Sequence, residues 1–243
     1  GRRIITKYNC RGCHNVEGEG GDIQKYLKAK SQYPPPLEMG NYHVGERLKS
    51  SWLYSFLRSP TPVRTWIKVK MPTFAFSDQE VKGLTEYFEA MSPGAEYETG
   101  VHKEKDNAVA QKGAEMVTYM DCGRCHDDGQ KGIEFSLASQ RLRQEWIPKW
   151  LKDTRSMIPW TPMPSHWVKD GEGYKVPTKF DEINSVGDVD TQVGTLKDLI
   201  VAYNTAELDF DASLGEGEGD DEEEGDGEGE EGGEEDEDEE EDE

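Results

Sequence analysis

The sequence predicts an all-α fold of two tandem helical domains followed by an acidic tail. A succession of helical patterns in the first half of the chain recurs in degenerate form about 100 residues later. The same spacing of cysteine and histidine opens both copies, as "CRGCH" and as "CGRCH". Beyond Leu214 the chain contains only Gly, Asp and Glu. We therefore expect domains at 1–92 and 108–208, a linker at 93–107 and a disordered tail at 209–243.

In the first half, a short helix in "GRRIITKYNC" leads into the first cysteine pair. A second helix is predicted from apolar residues that share one helical face, and Pro60 ends it. Those apolar residues are Leu48, Trp52, Leu53, Phe56 and Leu57. A third helix begins after Ser77, because a serine three residues before Glu80 is the signature of a capping box.

The second half repeats this order. The segment "WIPKWLKDT" aligns with "WLYSFLRSP", which places Trp146 on Trp52 and Trp150 on Phe56. The segment "PMPSHW" parallels "KMPTFAF", and a closing helix is expected at about 191–206. Small helical units of this size have little apolar surface to bury, so we expect each half to need a cross-link or a large prosthetic group.

The two cysteine motifs indicate what that group is. A disulfide would give the following histidine no role, and a zinc site would need a distant fourth ligand in each half. Cys-x-x-Cys-His is the attachment signature of c-type haem, in which both thiols bond the porphyrin and the histidine ligates the iron. All four cysteines of the chain fall in two such motifs. The predicted residues are Cys10, Cys13 and His14 in the first motif and Cys122, Cys125 and His126 in the second.

On these motifs, each half resembles a class I cytochrome c domain, and the chain resembles a dihaem cytochrome c. The resemblance covers about 1–91 and 108–206. It implies two haem c groups, and it implies that a methionine ahead of the last helix of each half is the second axial ligand. The matching residues are Met71 in "KMPTF" and Met163 in "TPMPSH".

Two details of the implied sites stay open at the level of sequence. Met157 and His166 compete with Met163 for the second iron, and we choose Met163 because a proline follows it, as one follows Met71. The resemblance also implies a carbonyl that accepts a hydrogen bond from each axial histidine. In the first half Pro35 or Pro36 would supply it, and in the second half a carbonyl near Ser136 would do so.

The net charge of −23 is concentrated in the tail. Residues 215–243 hold 21 acidic residues, so the rest of the chain has 30 acidic against 28 basic residues. A near-neutral body without a basic patch is not typical of a nucleic-acid-binding protein. The tail is expected to solubilise the protein or to steer it toward a basic surface on a redox partner. No apolar run approaches the ~18 residues of a spanning helix, so no transmembrane segment is expected in this chain.

The resemblance implies an electron-transfer protein that passes single electrons through two haems in a respiratory or other redox chain. One alternative is a haem-bearing subunit or segment of a larger membrane respiratory complex. Another is a dihaem peroxidase-like enzyme with one open iron. We expect a periplasmic or otherwise extracytoplasmic location, since the resembling family attaches its haem outside the cytoplasmic membrane. Only nine residues precede Cys10 and the first of them already have a helical pattern, so we also expect a missing N-terminal segment. Membrane association would come through partner proteins or through that segment.

Overall fold

The computed structural model describes residues 1–92, 107–126, 131–176 and 186–203. The predicted tail lies outside the described residues, as does all of the predicted linker except Asn107. The described residues are mostly helical, with a few strands of two or three residues. The all-α prediction is therefore correct for the main elements and omits three short hairpins.

The first half contains four helices and two hairpins. The helices are α1 (Arg2–Lys7), α2 (Val44–Arg47), α3 (Ser50–Arg58) and α4 (Asp78–Ala90). The antiparallel hairpins are β1 (Asn15–Val16) with β2 (Glu19–Gly20), and β3 (Glu38–Met39) with β4 (Tyr42–His43). Helix α4 has the predicted capping box: Ser77 Oγ accepts from the Glu80 amide at 3.3 Å, and the Ser77 amide donates to Glu80 Oε2 at 3.0 Å.

The described part of the second half contains six helices and one hairpin. The helices are α5 (Asn107–Tyr119), α6 (Gly123–His126), α7 (Phe135–Arg141), α8 (Trp146–Lys152), α9 (Thr154–Met157) and α10 (Val189–Ala202). Strand β5 (Val168–Asp170) pairs with β6 (Gly173–Lys175). Helix α10 begins two residues earlier than expected, because the Asp188 side chain caps it by accepting from the Thr191 amide at 2.8 Å.

In each half, the helix that leads into the cysteine motif packs against the last helix of that half, α1 against α4 and α5 against α10. A glycine makes each close approach possible. A Cβ at Gly113 would lie 2.7 Å from the Cβ of Leu199, and a Cβ at Gly1 would overlap the ring of Tyr87. Both glycines lie nine residues before the first cysteine of their motif. The two motifs are thus carried on equivalent helix crossings.

One sequence prediction is wrong: Leu48 does not continue a helix. It has the extended backbone that separates α2 from α3, and it forms an antiparallel bridge with Leu142, which separates α7 from α8 in the same way. The Lys49 amide donates to the Arg141 carbonyl and the Arg143 amide to the Arg47 carbonyl, both at 2.9 Å. A pairing across 94 residues gives no local signal, so helical periodicity alone could not reveal it.

This bridge relates the two halves to each other. Leu48 and Leu142 are equivalent in the alignment that places Trp146 on Trp52. Residues on either side pair reciprocally, as they do across the two-fold axis of a symmetric dimer. The aromatic pairs behind the bridge also correspond. The rings of Trp52 and Phe56 stack at 4.8 Å and 14°, and those of Trp146 and Trp150 stack at 5.2 Å and 18°.

Candidate functional site

The first cysteine motif follows α1 at an abrupt change of direction. Asn9 has a φ of 50°, in the left-handed region, and a 3₁₀ turn over Cys10–Gly12 follows it. This turn brings Cys10, Cys13 and His14 to the wall of a cavity of about 430 Å³. Met71 lines the same cavity, so all four residues predicted for the first site meet there.

Apolar and aromatic side chains form most of the cavity wall. They include Ile5, Leu53, Phe56, Phe74, Leu84 and Phe88. A volume of this size is within the range of small-molecule sites. Two thiols, an imidazole and a thioether are the polar or soft groups that a haem requires from its protein. The residues present therefore fit a covalently held haem.

His14 has one ring nitrogen committed to the protein. Its Nδ1 lies 2.8 Å from the carbonyl oxygen of Pro35 and donates to it, which leaves Nε2 for a metal. Pro35 is one of the two prolines that the sequence indicated. Burial lowers the pKa of His14, and the charge of Arg64 lowers it further, against the Pro35 hydrogen bond, which raises it. These effects favour the neutral imidazole, which is the form that ligates metals.

The loop that carries Met71 is anchored to the helix before the motif. The Tyr8 ring packs edge-on against Phe76 at 4.6 Å and against Phe74 at 5.6 Å. The Tyr8 hydroxyl donates to the Glu80 carboxylate at 3.1 Å. This network ties the methionine loop, α1 and the start of α4 together on one side of the cavity.

The second motif repeats this construction. Asp121, with a φ of 53°, precedes Cys122 as Asn9 precedes Cys10. The Nδ1 atom of His126 donates to the carbonyl of Ile133 at 2.7 Å. The acceptor is thus three residues earlier than the predicted position near Ser136.

An aromatic column backs the second histidine. The His126 ring stacks on Phe135 at 4.9 Å and 15°, and Phe135 contacts the Tyr203 ring at 5.6 Å. Phe135 begins α7 and Tyr203 follows α10, so this column joins three parts of the second half. It fixes the plane of the imidazole.

Met163 is held at both its backbone and its sulfur. Trp150 Nε1 donates to the Met163 sulfur at 3.0 Å. The Thr154 hydroxyl donates to the Met163 carbonyl at 3.2 Å, and the Met163 amide donates to Thr161 Oγ1 at 3.3 Å. A thioether sulfur has two lone pairs, so the tryptophan leaves one for a metal. Sequence reasoning did not assign this role to Trp150, although it aligned Trp150 with the aromatic residue Phe56.

Met157 and His166 are the two competitors of Met163. Met157 ends α9 and, like Met163, packs against the apolar core. His166 lies next to the Trp167 ring, with centroids 6.2 Å apart, and burial lowers its pKa. His126 and Met163 are held by separate sets of contacts. Residues 127–130, which directly follow His126, lie outside the described residues.

Three kinds of feature are absent from the described residues. No disulfide joins the four cysteines, all of which lie in the described part of the chain. In the same part, no group of three or more His, Cys, Asp or Glu side chains is placed to hold a metal ion. None of the described helices is long and apolar enough to cross a membrane.

Comparison with known proteins bears on the first half. Residues 1–92 match the family model of cytochrome c. No curated protein and no solved structure gives a significant match to the chain. The matched range contains the first cysteine motif, the cavity and Met71. Residues 1–92 therefore form a cytochrome c domain, a kind of domain that binds haem c covalently and is typically extracytoplasmic.

Proposed function

We propose that this chain is a dihaem electron-transfer protein with one haem c in each half. Cys10 and Cys13 would hold the first haem, and His14 and Met71 would ligate its iron. The corresponding residues of the second half are Cys122, Cys125, His126 and Met163. The protein would pass single electrons in a respiratory or other redox chain outside the cytoplasm, by itself or as a subunit or segment of a larger membrane respiratory complex.

One observation carries the proposal of a second haem. In both halves the histidine of the cysteine motif donates its Nδ1 proton to a backbone carbonyl, that of Pro35 at 2.8 Å and that of Ile133 at 2.7 Å. This bond fixes the tautomer and leaves Nε2 available for iron. A histidine with only a packing role has no need of the same arrangement at the same place in both halves.

The side chains at these sites would hold, orient and insulate the cofactor. A haem bound there supplies an iron that alternates between the ferric and ferrous states. The cysteines would fix the porphyrin edge, and the apolar wall of the first cavity would exclude water. A thioether opposite an imidazole raises the reduction potential relative to two imidazoles.

The hydrogen bond from Trp150 to the Met163 sulfur favours a carrier over a peroxidase-like enzyme. Together with the Thr154 and Thr161 contacts, it holds the sulfur in a defined position. A methionine secured in this way is suited to a permanent ligand that closes the iron to substrate. An open site would instead need a vacant face with an acid–base group beside it.

The experiment is a redox titration of the purified holoprotein combined with a carbon monoxide challenge. We expect two one-electron steps, and a reduced spectrum that carbon monoxide leaves unchanged, because both irons have two protein ligands. Rapid formation of a carbon monoxide adduct at one haem, together with peroxide turnover, would support the enzyme instead. A single one-electron step per chain would refute the second haem.

A further inference from the structure

The wall of the first cavity contains four cationic side chains and, among its described lining residues, no carboxylate. The cations are Arg47, Arg64, Lys70 and Arg141. Lys70 is turned back to the backbone, where its amine donates to the carbonyls of Arg64 and Thr65 at 3.4 and 3.1 Å. The three arginines remain, and they face the interior of the site.

Two of these arginines are almost fully buried. Arg141 is 3% exposed and Arg47 is 6% exposed. The Nε atom of each has no hydrogen-bond partner, and among the described residues none of the three arginines forms an ion pair. Buried guanidinium groups are normally paired with an anion, because an unpaired buried charge is strongly unfavourable.

The three charges also oppose one another. Burial and, to a lesser extent, the charge of Arg47 lower the pKa of Arg64 to about 10. Burial, followed by the charges of Arg47 and Arg64, lowers the pKa of Arg141. An anion between the guanidinium groups would relieve both effects.

Arg141 belongs to the second half of the chain. It is the last residue of α7, and its carbonyl accepts from the Lys49 amide at the bridge between the halves. From there its guanidinium reaches the Trp52 ring at 5.9 Å, and both residues line the first cavity. Residues 1–92 alone therefore do not contain every group of the first site.

The equivalent arginine of the first half also contacts the other half, while it lines the first cavity. Arg47 occupies the position that corresponds to Arg141, and its guanidinium lies 5.0 Å from the Trp146 ring of the second half. The Arg47 guanidinium also donates to the Tyr42 hydroxyl. This reciprocal exchange about the Leu48–Leu142 bridge shows that the position of Arg141 follows from how the halves pair.

We propose that Arg141 crosses from the second half to bind the carboxylate edge of the haem held by the first half, beside Arg47 and Arg64. The haem carries two propionate carboxylates on one edge, and the planar guanidinium fork matches a carboxylate in geometry and charge. The first haem site is then complete only when the two halves are docked. This inference rests on the haem of the cytochrome c domain and does not require the second haem.

The test compares the reduction potentials of full-length holoprotein variants. Arg64→Gln identifies the redox step of the first haem, since Arg64 lies in the first half and lines its cavity. Arg141→Gln should move the same step to lower potential, because the loss of a positive charge near the iron disfavours the added electron.

The matched control is Arg143→Gln. Arg143 lies two residues away at the same bridge, where it donates to the Leu48 carbonyl and the Ser50 hydroxyl and pairs with Glu89, and it is not among the residues lining the cavity. We expect Arg143→Gln to leave the potential of the first haem nearly unchanged. Arg141→Lys should keep the potential of the first haem close to the wild-type value, because lysine retains the positive charge although it lacks the guanidinium fork.

Two results would overturn the inference. The first is a redox step whose reduction potential shifts in the Arg64→Gln variant but not in the Arg141→Gln variant. The second is an equal shift in Arg141→Gln, Arg141→Lys and Arg143→Gln, which would indicate a purely structural effect on docking. A titration that takes up only one electron per chain, in a step that moves as expected, would contradict the second haem and still support Arg141 as a binding residue of the first.

Discussion

At the scale of single residues, one hydrogen bond fixes which ring nitrogen of each motif histidine is available to a metal. His14 and His126 both lose one ring nitrogen to a carbonyl, so only Nε2 can ligate iron. Met163 is held in a similar way, with one sulfur lone pair engaged by Trp150. The ligand set of the second site can therefore be tested one side chain at a time.

Substitution of Met163 should change the second site, whereas substitution of Met157 should not. Methionine-ligated ferric haem has a weak absorption band at the red edge of the visible spectrum. With Met71 intact, Met163→Ala should remove about half of this band and lower one potential, since a methionine ligand raises it. Met157→Ala is the matched control. If Met157→Ala halves the band, or only His166→Ala shifts a potential, the assignment of Met163 is wrong.

Glu80 is expected to contribute to acid sensitivity. The hydrogen bond from Lys7, followed by that from the Ser77 backbone, lowers the pKa of Glu80 from 4.5 to about 2. A carboxyl whose folded pKa is depressed stabilises the fold above its unfolded pKa and loses this contribution as the pH falls. Glu80→Gln should therefore flatten the loss of stability between pH 4.5 and about 2.

Denaturant midpoints measured across that pH range would check this expectation. Glu86→Gln is a suitable control, since Glu86 lies on the same helix, is largely exposed and, within the part of the chain that the structure describes, pairs only with Lys82 at 3.7 Å. An unchanged acid profile in Glu80→Gln, with the protein still folded at neutral pH, would contradict the role assigned to Glu80.

At the scale of elements, α4 is the helix whose beginning is best defined. Its first turn carries Asp78 and Glu80, which suit the positive end of the helix dipole. The capping box at Ser77 satisfies amides that the first turn leaves without partners. The buried face of α4, with Val81, Leu84 and Phe88, then closes the first half against α1.

Removal of the cap should weaken the first half measurably. Ser77→Ala is expected to cost about 1 kcal/mol of unfolding free energy, because the Glu80 amide loses its acceptor. Ser51→Ala provides a control at an exposed serine in the first turn of α3. Thermal or denaturant unfolding of the holoprotein measures the difference. Equal stability of the two variants would show that the capping box does not stabilise α4.

At the scale of the whole molecule, the sequence could predict the parts that depend on short spacings. The two cysteine motifs and the cap at Ser77 involve local patterns, whereas the proline carbonyl for His14 was implied by the family resemblance, since Pro35 lies 21 residues from His14. Ile133 was not predicted, because any carbonyl of a returning loop can accept from a histidine. Leu48 and Arg141 were not predicted either, since their conformation and contacts depend on pairing between residues about 94 positions apart.

The acidic tail is expected to act only through its charge. Truncation after Leu214 should leave the visible spectrum unchanged, because residues 215–243 contain no apolar side chain and no haem ligand. If the tail steers a basic partner, truncation should slow electron transfer at low ionic strength. The effect should shrink toward ~0.15 M salt, where the Debye length is ~8 Å. Stopped-flow rates that are equal with and without the tail at every salt concentration would leave only a solubilising role.

The number of haems per chain tests the central claim most directly. The intact mass of the denatured holoprotein should exceed the mass of the polypeptide by two haems, because thioether bonds survive unfolding. The double variant Cys122→Ala/Cys125→Ala should lose one haem and retain the haem of residues 1–92. A wild-type mass increase of one haem, or a double variant with the same mass increase as wild type, would contradict the dihaem account.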